Sequence, residues 1–488
     1  MKNKKIHFVG IKGTNMTPLA LIAKEAGFHV TGSDVEQEFI TDAALKKAGI
    51  LPLVGFSAEH IKDPMLVVTT GAHGGFDNVE VVTAKTKNIP VMSAGEATGE
   101  FMNGSLFNKK FTGISIAGTH GKTTTTAMIA TMLAENKFDP SFIIGTGNVG
   151  SLGAPGHFGT GRYFVAEADE YATEPKHDRR ARFLWQHPTF AIITNIEHDH
   201  PDIYPTIDAV RETFLSFAKQ LPPKGALIAC GDDPEVKKLL KEFAGDPSTS
   251  PASVGLARND NARVITYGFS LGNDYVLDRV TVSGDQTFFW VKSQGVPLGE
   301  FGIRVSGKHN ALNATAAVVL GFEIGLAAEK IRKGLLAFKG SKRRLEFIGD
   351  LRSGAKVYDD YAHHPTEIKT TLQALRGQYP KKKIICIFQP HTYSRTKQLF
   401  REFTKSFADV DMVIVTDIFA SAREQADPEV SSKNLAFEMS SHHKAVLYLP
   451  ALSDVVQYIQ ENKLRSDTIL VTMGAGDIYS IHSELGFV

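Results

Sequence analysis

GISIAGTHGKTTTTA, residues 113–127, decides how this chain is read. Ile114, Ile116 and Ala117 make a short apolar strand. A glycine turn follows, then Lys122, four threonines and a segment where Met128, Ile129, Met132 and Leu133 recur at three and four residues. That spacing predicts a helix buried on one side. Strand, glycine loop and helix start make an anion site, because free backbone N–H groups and the helix dipole both favour negative charge there. Lys122 can reach outer phosphates, and the Thr123 hydroxyl can ligate magnesium. Ile116 stands where the general phosphate-loop pattern has glycine. The alternative is a plain strand-to-helix turn with a solvated lysine. Four consecutive β-branched threonines are poor helix formers and argue against it. The stretch reads as a loop for a nucleoside triphosphate.

The remaining chain is long enough, at 488 residues, for about three domains. Lys plus Arg number 54 against 53 acids, so no net field attracts nucleic acid or an anionic membrane. Two cysteines, Cys230 and Cys386, supply neither a disulfide framework nor a four-cysteine zinc site. No apolar run approaches the ~20 residues that span a bilayer. A cytoplasmic enzyme is expected.

Upstream of the loop, Ile6–Val9 reads as a strand, GIKGTNM as a turn, and Leu19, Ile22, Ala23 and Ala26 as a helix face. A second strand, Phe28–Thr31, ends in Gly32-Ser33-Asp34, the βαβ grammar of a nucleotide-binding domain with an acid near the ribose offset. Gly10 and Gly13 are present, but the G-x-G-x-x-G fingerprint is incomplete. A nicotinamide-dependent dehydrogenase would explain these forty residues and leave Lys122 unexplained. A P-loop switch or motor would explain Lys122 alone.

Downstream, Gly145–Gly161 reads as glycine-rich turns. Strands at Tyr163–Ala166 and Phe190–Thr194 deliver Glu167-Ala168-Asp169-Glu170 and Asn195-Ile196-Glu197-His198-Asp199-His200. Carboxylates at strand ends sit where α/β sheets place ligands, and one can share magnesium with Thr123. Residues 245–300 read as a small antiparallel sheet with loops. From about Lys339, strands at Val357–Tyr361, Ile384–Phe388, Val413–Thr416 and Ile469–Met473 alternate with helices, a further parallel α/β unit.

Together these stretches resemble the Mur ligases, ATP-dependent amide ligases of cell-wall precursor synthesis. The resemblance rests on GTHGKTTT, EADE, TNIEHDH, GKHNALNA, RRLE, DDYAHHPTE, QPHTYSRT and MGAGD, in that order over nearly the whole chain. It implies an α/β protein of three domains. A Rossmann-like UDP-sugar domain would occupy 1–110. A central P-loop-type ATPase domain with an appended small β-sheet would occupy 111–339. A Rossmann-like parallel α/β amino-acid domain would occupy 340–488. It further implies that Gly118, Thr119, His120, Gly121, Lys122, Thr123 and Thr124 cradle ATP. His309, Asn310 and Asn313 would lie near the adenine, and Arg344 near the phosphates. Thr123 and Glu167 would hold one Mg2+, and His200 a second. His363, His364, His391 and Arg395 would face the amino acid, and Gly10, Gly13 and Asp34 would serve the UDP-sugar. The implied substrates are UDP-N-acetylmuramate and an amine. DDYAHHPTEI, QPHTYSRT and DIFASARE favour L-alanine; the long stretch EADEYATEPKHDRRARFLWQHP resembles instead enzymes that take the tripeptide L-alanyl-γ-D-glutamyl-meso-diaminopimelate. Oligomeric state is not legible.

Overall fold

The structure, a computed structural model, describes residues 4–245, 262–420, 424–462 and 464–488. The 246–261 part of the predicted small sheet, and Ser421, Ala422 and Arg423 of DIFASARE, lie outside the described residues. Lys5–Val9 (β1) is the middle strand of the first sheet. His29–Asp34 (β2), Leu53–Val54 (β3), Leu66–Thr69 (β4) and Val91–Ser93 (β5) flank it in the order β3-β2-β1-β4-β5, all parallel. The crossover helix Met16–Glu25 buries every residue from Met16 to Ala23, including the expected Leu19, Ile22 and Ala23. Ala26, expected on the same face, lies just past the helix and is half-buried. Phe8, Leu19 and Phe101 share one apolar cluster with Phe164 and Ala166 of the next sheet, so two sheets lean on common packing.

The second sheet holds the loop. Its strands begin with Thr112–Ala117 (β6), Ser141–Ile143 (β7), Gly156–His157 (β8) and Tyr163–Glu167 (β9). A separate hairpin follows, Ala172–Glu174 (β10) and Asp178–Ala181 (β11). Then come Phe190–Ile193 (β12), Gly225–Cys230 (β13), Ala262–Gly268 (β14), Tyr275–Ser283 (β15), Gln286–Ser293 (β16) and Val296–Ile303 (β17). Among the described residues the order is β17-β16-β15-β14-β13-β12-β6-β9-β7-β8. The predicted antiparallel strands, β15 to β17, therefore extend the central sheet at its edge instead of standing apart.

Two local expectations change. The helix Lys122–Glu135 is buried all round from Thr123 to Leu133, not on one side. It lies between its sheet and the helix Ala328–Ala337, where Gly334 admits the Met132 side chain. Two of its threonines are satisfied there: the Thr126 hydroxyl donates to the Lys122 carbonyl at 2.8 Å and that of Thr123 to Glu167 at 3.0 Å. The glycine-rich run 145–161 is not all turns, since Gly156–His157 pairs with β7. Gly156 is required because the Pro18 backbone sits where a Cβ would be.

The third sheet comprises Glu346–Asp350 (β18), Lys356–Asp360 (β19), Lys383–Phe388 (β20), Met412–Val415 (β21), Val446–Tyr448 (β22) and Thr468–Met473 (β23). Their order is β18-β19-β23-β20-β21-β22, parallel except for β18. No helix of the described residues is long and apolar enough to cross a membrane.

Candidate active site

Three adjacent parallel strands, β12-β6-β9, end side by side. Their carboxyl ends deliver TNIEHDH, GTHGK and EADE to one place, the position where open α/β sheets bind ligands. In the third sheet β19-β23-β20 are likewise neighbours and deliver YAHHPTE, GAGD and QPHTYSRT. The two sets of loops meet.

The phosphate loop is short. Ile116 is still strand, so the turn begins at Gly118 and the helix at Lys122. Gly118 (φ 138°) and Gly121 (φ 81°) take backbone angles that favour glycine, and a side chain at Gly121 would strike the Asn313 amide. Asn195 holds the loop: its carbonyl accepts from Thr119 N at 3.1 Å and its side-chain oxygen from His120 N at 2.8 Å. The amides of the first helical turn have no acceptor within the helix, a geometry suited to an anion.

Lys122 does not stand free. Its Nζ donates to the Gly118 and Thr119 carbonyls at 2.6 and 3.1 Å and meets Glu170 at 2.9 Å. Burial disfavours the ammonium, but Glu170, Asp169 and Glu167 outweigh it and hold its pKa above the usual lysine value. Glu170 is pushed up to about 7 by burial, which the pull of Lys122 only partly offsets. Between its ordinary value of 4.5 and about 7 the folded state binds this proton more tightly than the unfolded chain. Stability from this group is therefore complete below the lower value and lost as pH rises through about 7. Glu170→Gln cannot titrate, so its melting temperature relative to the parent should climb between pH 5 and pH 8. Calorimetry at both values checks this, and a constant difference contradicts it.

Thr123 Oγ1 donates to Glu167 Oε1 at 3.0 Å, while Glu167 Oε2 accepts from Gly145 N at 2.8 Å. These paired oxygens suit a hard cation. His200, held in a left-handed conformation (φ 54°), places Nε2 at 3.9 Å from Glu170 and 3.6 Å from Asp199. It thus joins the cluster through Glu170.

Arg343 and Arg344 are divided by the fold. Arg343 is buried and donates to Asp359 at 2.8 Å and to the Gly474 and Gly476 carbonyls, bracing the third sheet's loops. Arg344 points the other way and donates through Nη2 to Thr123 Oγ1 at 3.0 Å. The flanking residues Arg343 and Leu345 have φ of 58° and 48°, strained conformations that turn this one side chain outward. A cleft is lined by Gly121, Thr124, His309, Asn310 and Asn313, with Arg344, Asp360 and Glu367 on its other wall. The loop and the expected adenine residues are therefore neighbours. Burial lowers His309 to about 4, leaving a neutral ring.

A second cleft joins Gly10, Gly13 and Asp34 to Arg182, Arg343, Tyr361 and Phe419. Asp34 lines it, although its oxygens already accept from Lys12 N at 2.7 Å and Val35 N at 2.8 Å. Its first task is to hold the glycine turn.

Of the four residues expected at the amino acid, His363, His391 and Arg395 stay together and His364 does not. Tyr361, His363, His391 and Phe419 form a row of rings with successive centroids 5.3, 5.8 and 5.8 Å apart. Burial and the nearby Arg395 charge lower His363 to about 4, so it is neutral. His364 turns away and caps the helix Pro365–Gln378, beside His120. Arg395 commits Nε to Asp199 at 2.8 Å and Nη1 to His391, because TNIEHDH presents that carboxylate across the seam. Both partners are almost fully buried. Arg395→Ala strands Asp199 and should cost about 3–5 kcal/mol. Urea denaturation measures it, and adding Asp199→Asn should recover part of the loss.

Glu170, Glu197 and Glu367 are absent from the sequence-derived set, although each lies inside one of its motifs. Alternate residues of TNIEHDH do the bridging: Asn195 to the loop, Glu197 to Thr366 at 2.7 Å, and Asp199 to Arg395.

Three family models match in order. They are the Mur ligase family catalytic domain over residues 5–105, the Mur ligase middle domain over 116–321, and the Mur ligase glutamate ligase domain over 343–476. The UDP-N-acetylmuramate–L-alanine ligase of Desulfitobacterium hafniense is 40% identical over 98% of this chain and 99% of its own. That of Acetivibrio thermocellus is 38% identical over 98% and 95%. The solved UDP-N-acetylmuramate-alanine ligase from Thermotoga maritima matches with a TM-score of 0.77, 28% identity and coverage of 98% and 97%. A murein peptide ligase from Psychrobacter arcticus matches with a TM-score of 0.73, 26% identity and coverage of 99% and 98%. With its three models in order and this identity over nearly its full length, the chain belongs to the Mur ligase family.

Proposed function

We propose that this chain joins L-alanine to the lactyl carboxylate of UDP-N-acetylmuramate, consuming ATP and releasing ADP and phosphate. A carboxylate does not acylate an amine in neutral water, because its oxide is a poor leaving group. Transfer of the γ-phosphoryl group to the carboxylate makes an acyl phosphate. The amine then attacks the acyl carbon, and the tetrahedral intermediate expels phosphate. The observation that carries this reading is the convergence on Thr123, where the phosphate loop, Glu167 and Arg344 from the facing domain meet. Lys122, the first-turn amides and Arg344 would spread the charge that grows on the transferring group. Thr123 and Glu167 would hold one Mg2+, and His200, beside Glu170, a second; magnesium when bound would supply further neutralisation of phosphate oxygens.

The row of rings from Tyr361 to Phe419 favours a small amine, and a neutral His363 does not repel an ammonium group. Beyond Glu170 and Arg182, the long stretch after Glu167 is used elsewhere. Lys176 and His177 both meet Asp77 at 2.9 Å, and Trp185 fits against Gly95 and Gly99, so the insertion fastens the first domain. Oxygen-18 in the lactyl carboxylate tests the mechanism. One label should appear in the released phosphate; unlabelled phosphate excludes the acyl phosphate.

A further inference from the structure

His120, Glu197 and His364 offer one donor atom each, all within 4.8 Å of one another. Glu197 Oε2 is their common point, 3.5 Å from His120 Nε2 and 3.7 Å from His364 Nδ1. On the other side of His120, Nδ1 faces Glu367 Oε1 at 3.2 Å. The two imidazoles lie with centroids 4.7 Å apart. His120 is thus shared between two carboxylates, Glu197 and Glu367, which against the effect of burial push it up to about 10, so an ion bound here would displace its proton. His364 turns Nδ1 toward Glu197, and its buried Nε2 on the far side has no hydrogen-bond partner. Thr366 Oγ1 donates to Glu197 Oε2 at 2.7 Å and fixes that carboxylate, as outer partners fix metal ligands.

We infer that His120, Glu197 and His364, with Glu367 beside them, form a site for a divalent ion of the zinc class that ties the central domain to the third. The set shares no residue with Thr123, Glu167 and His200. Two imidazoles with carboxylate select a borderline transition ion over magnesium or calcium, which prefer oxygen alone. Tetrahedral zinc with bonds of about 2.0–2.2 Å holds its donors roughly 3.3–3.6 Å apart. The two Glu197 separations already approach that value, and rotation of the imidazoles supplies the remainder. The ion would replace the long 3.3 Å bond from Thr366 N to His364 Nδ1. His120 and Glu197 belong to the loops of the second sheet, and His364 and Glu367 to the start of the helix Pro365–Gln378 in the third domain. Zinc here would therefore hold shut the cleft that His120, Glu197 and Glu367 line.

The test uses the full chain stripped with chelator. Zn2+ is titrated against a chromophoric chelator, and Co2+ is followed by its visible absorption. One equivalent of zinc and a tetrahedral cobalt spectrum are expected. Glu197→Gln and His364→Gln should each weaken zinc binding at least about tenfold, while His200→Asn keeps it. Circular dichroism establishes folding, and the partly exposed Glu197 carries the test if His364→Gln does not fold. Stoichiometric zinc absent from the parent, or zinc affinity unchanged in Glu197→Gln, overturns the site. Loss in His200→Asn with retention in Glu197→Gln places the ion elsewhere and overturns it equally.

Discussion

Lys122→Ala should lower turnover by at least about 10²–10³-fold, with only small changes in the KM for L-alanine. The Lys122 ammonium is pinned by two loop carbonyls and by Glu170, so it is preorganised within the loop before charge develops. Its contribution is greatest where negative charge grows, on the transferring phosphoryl group, and that appears in kcat more than in ground-state binding. Near-parental phosphate release would remove Lys122 from the chemistry. The variant also leaves Glu170 buried without its cation. Because Glu170 is already pushed up to about 7, it can protonate at little cost, and the fold should persist.

Arg344→Ala should be comparably severe. A guanidinium supplied from a separate element to a transferring phosphoryl group is worth about 10³–10⁵-fold in related phosphoryl-transfer enzymes. Here the third domain brings Arg344 to 3.0 Å from the magnesium-ligand candidate Thr123, with left-handed residues on both sides of it. Arg344→Lys should recover little, since a lysine cannot reproduce the planar fork. Arg343→Ala differs in kind. It removes a buried donor to Asp359, Gly474 and Gly476 and should unfold the third sheet's loops. Turnover and urea stability measured together separate the two arginines. If Arg344→Ala loses stability and keeps activity, the proposed assignments are reversed.

Much of this fold was legible because its strands are short apolar runs followed directly by polar motifs. Ile6–Val9, Tyr163–Ala166 and Ile469–Met473 each fall inside an observed strand. The edge of the central sheet was less legible, since alternating residues in β15 to β17 show a half-buried sheet without showing which strand they join. Side-chain direction was the larger loss. Two neighbouring arginines, 343 and 344, and two neighbouring histidines, 363 and 364, look equivalent in sequence. Left-handed backbone at Arg343 and the helix cap at His364 send each pair apart. The carboxylates Glu170, Glu197 and Glu367 escaped because their partners lie 48, 169 and 247 residues away, respectively Lys122, Thr366 and His120. No local pattern encodes such pairings.

The most direct measurement is phosphate release from ATP and UDP-N-acetylmuramate, with L-alanine in one reaction and L-alanyl-γ-D-glutamyl-meso-diaminopimelate in the other. Release that depends on L-alanine and is absent with the tripeptide is predicted. Release with the tripeptide alone would contradict the proposed amine, and would mean that the row of rings from Tyr361 to Phe419 opens for a peptide.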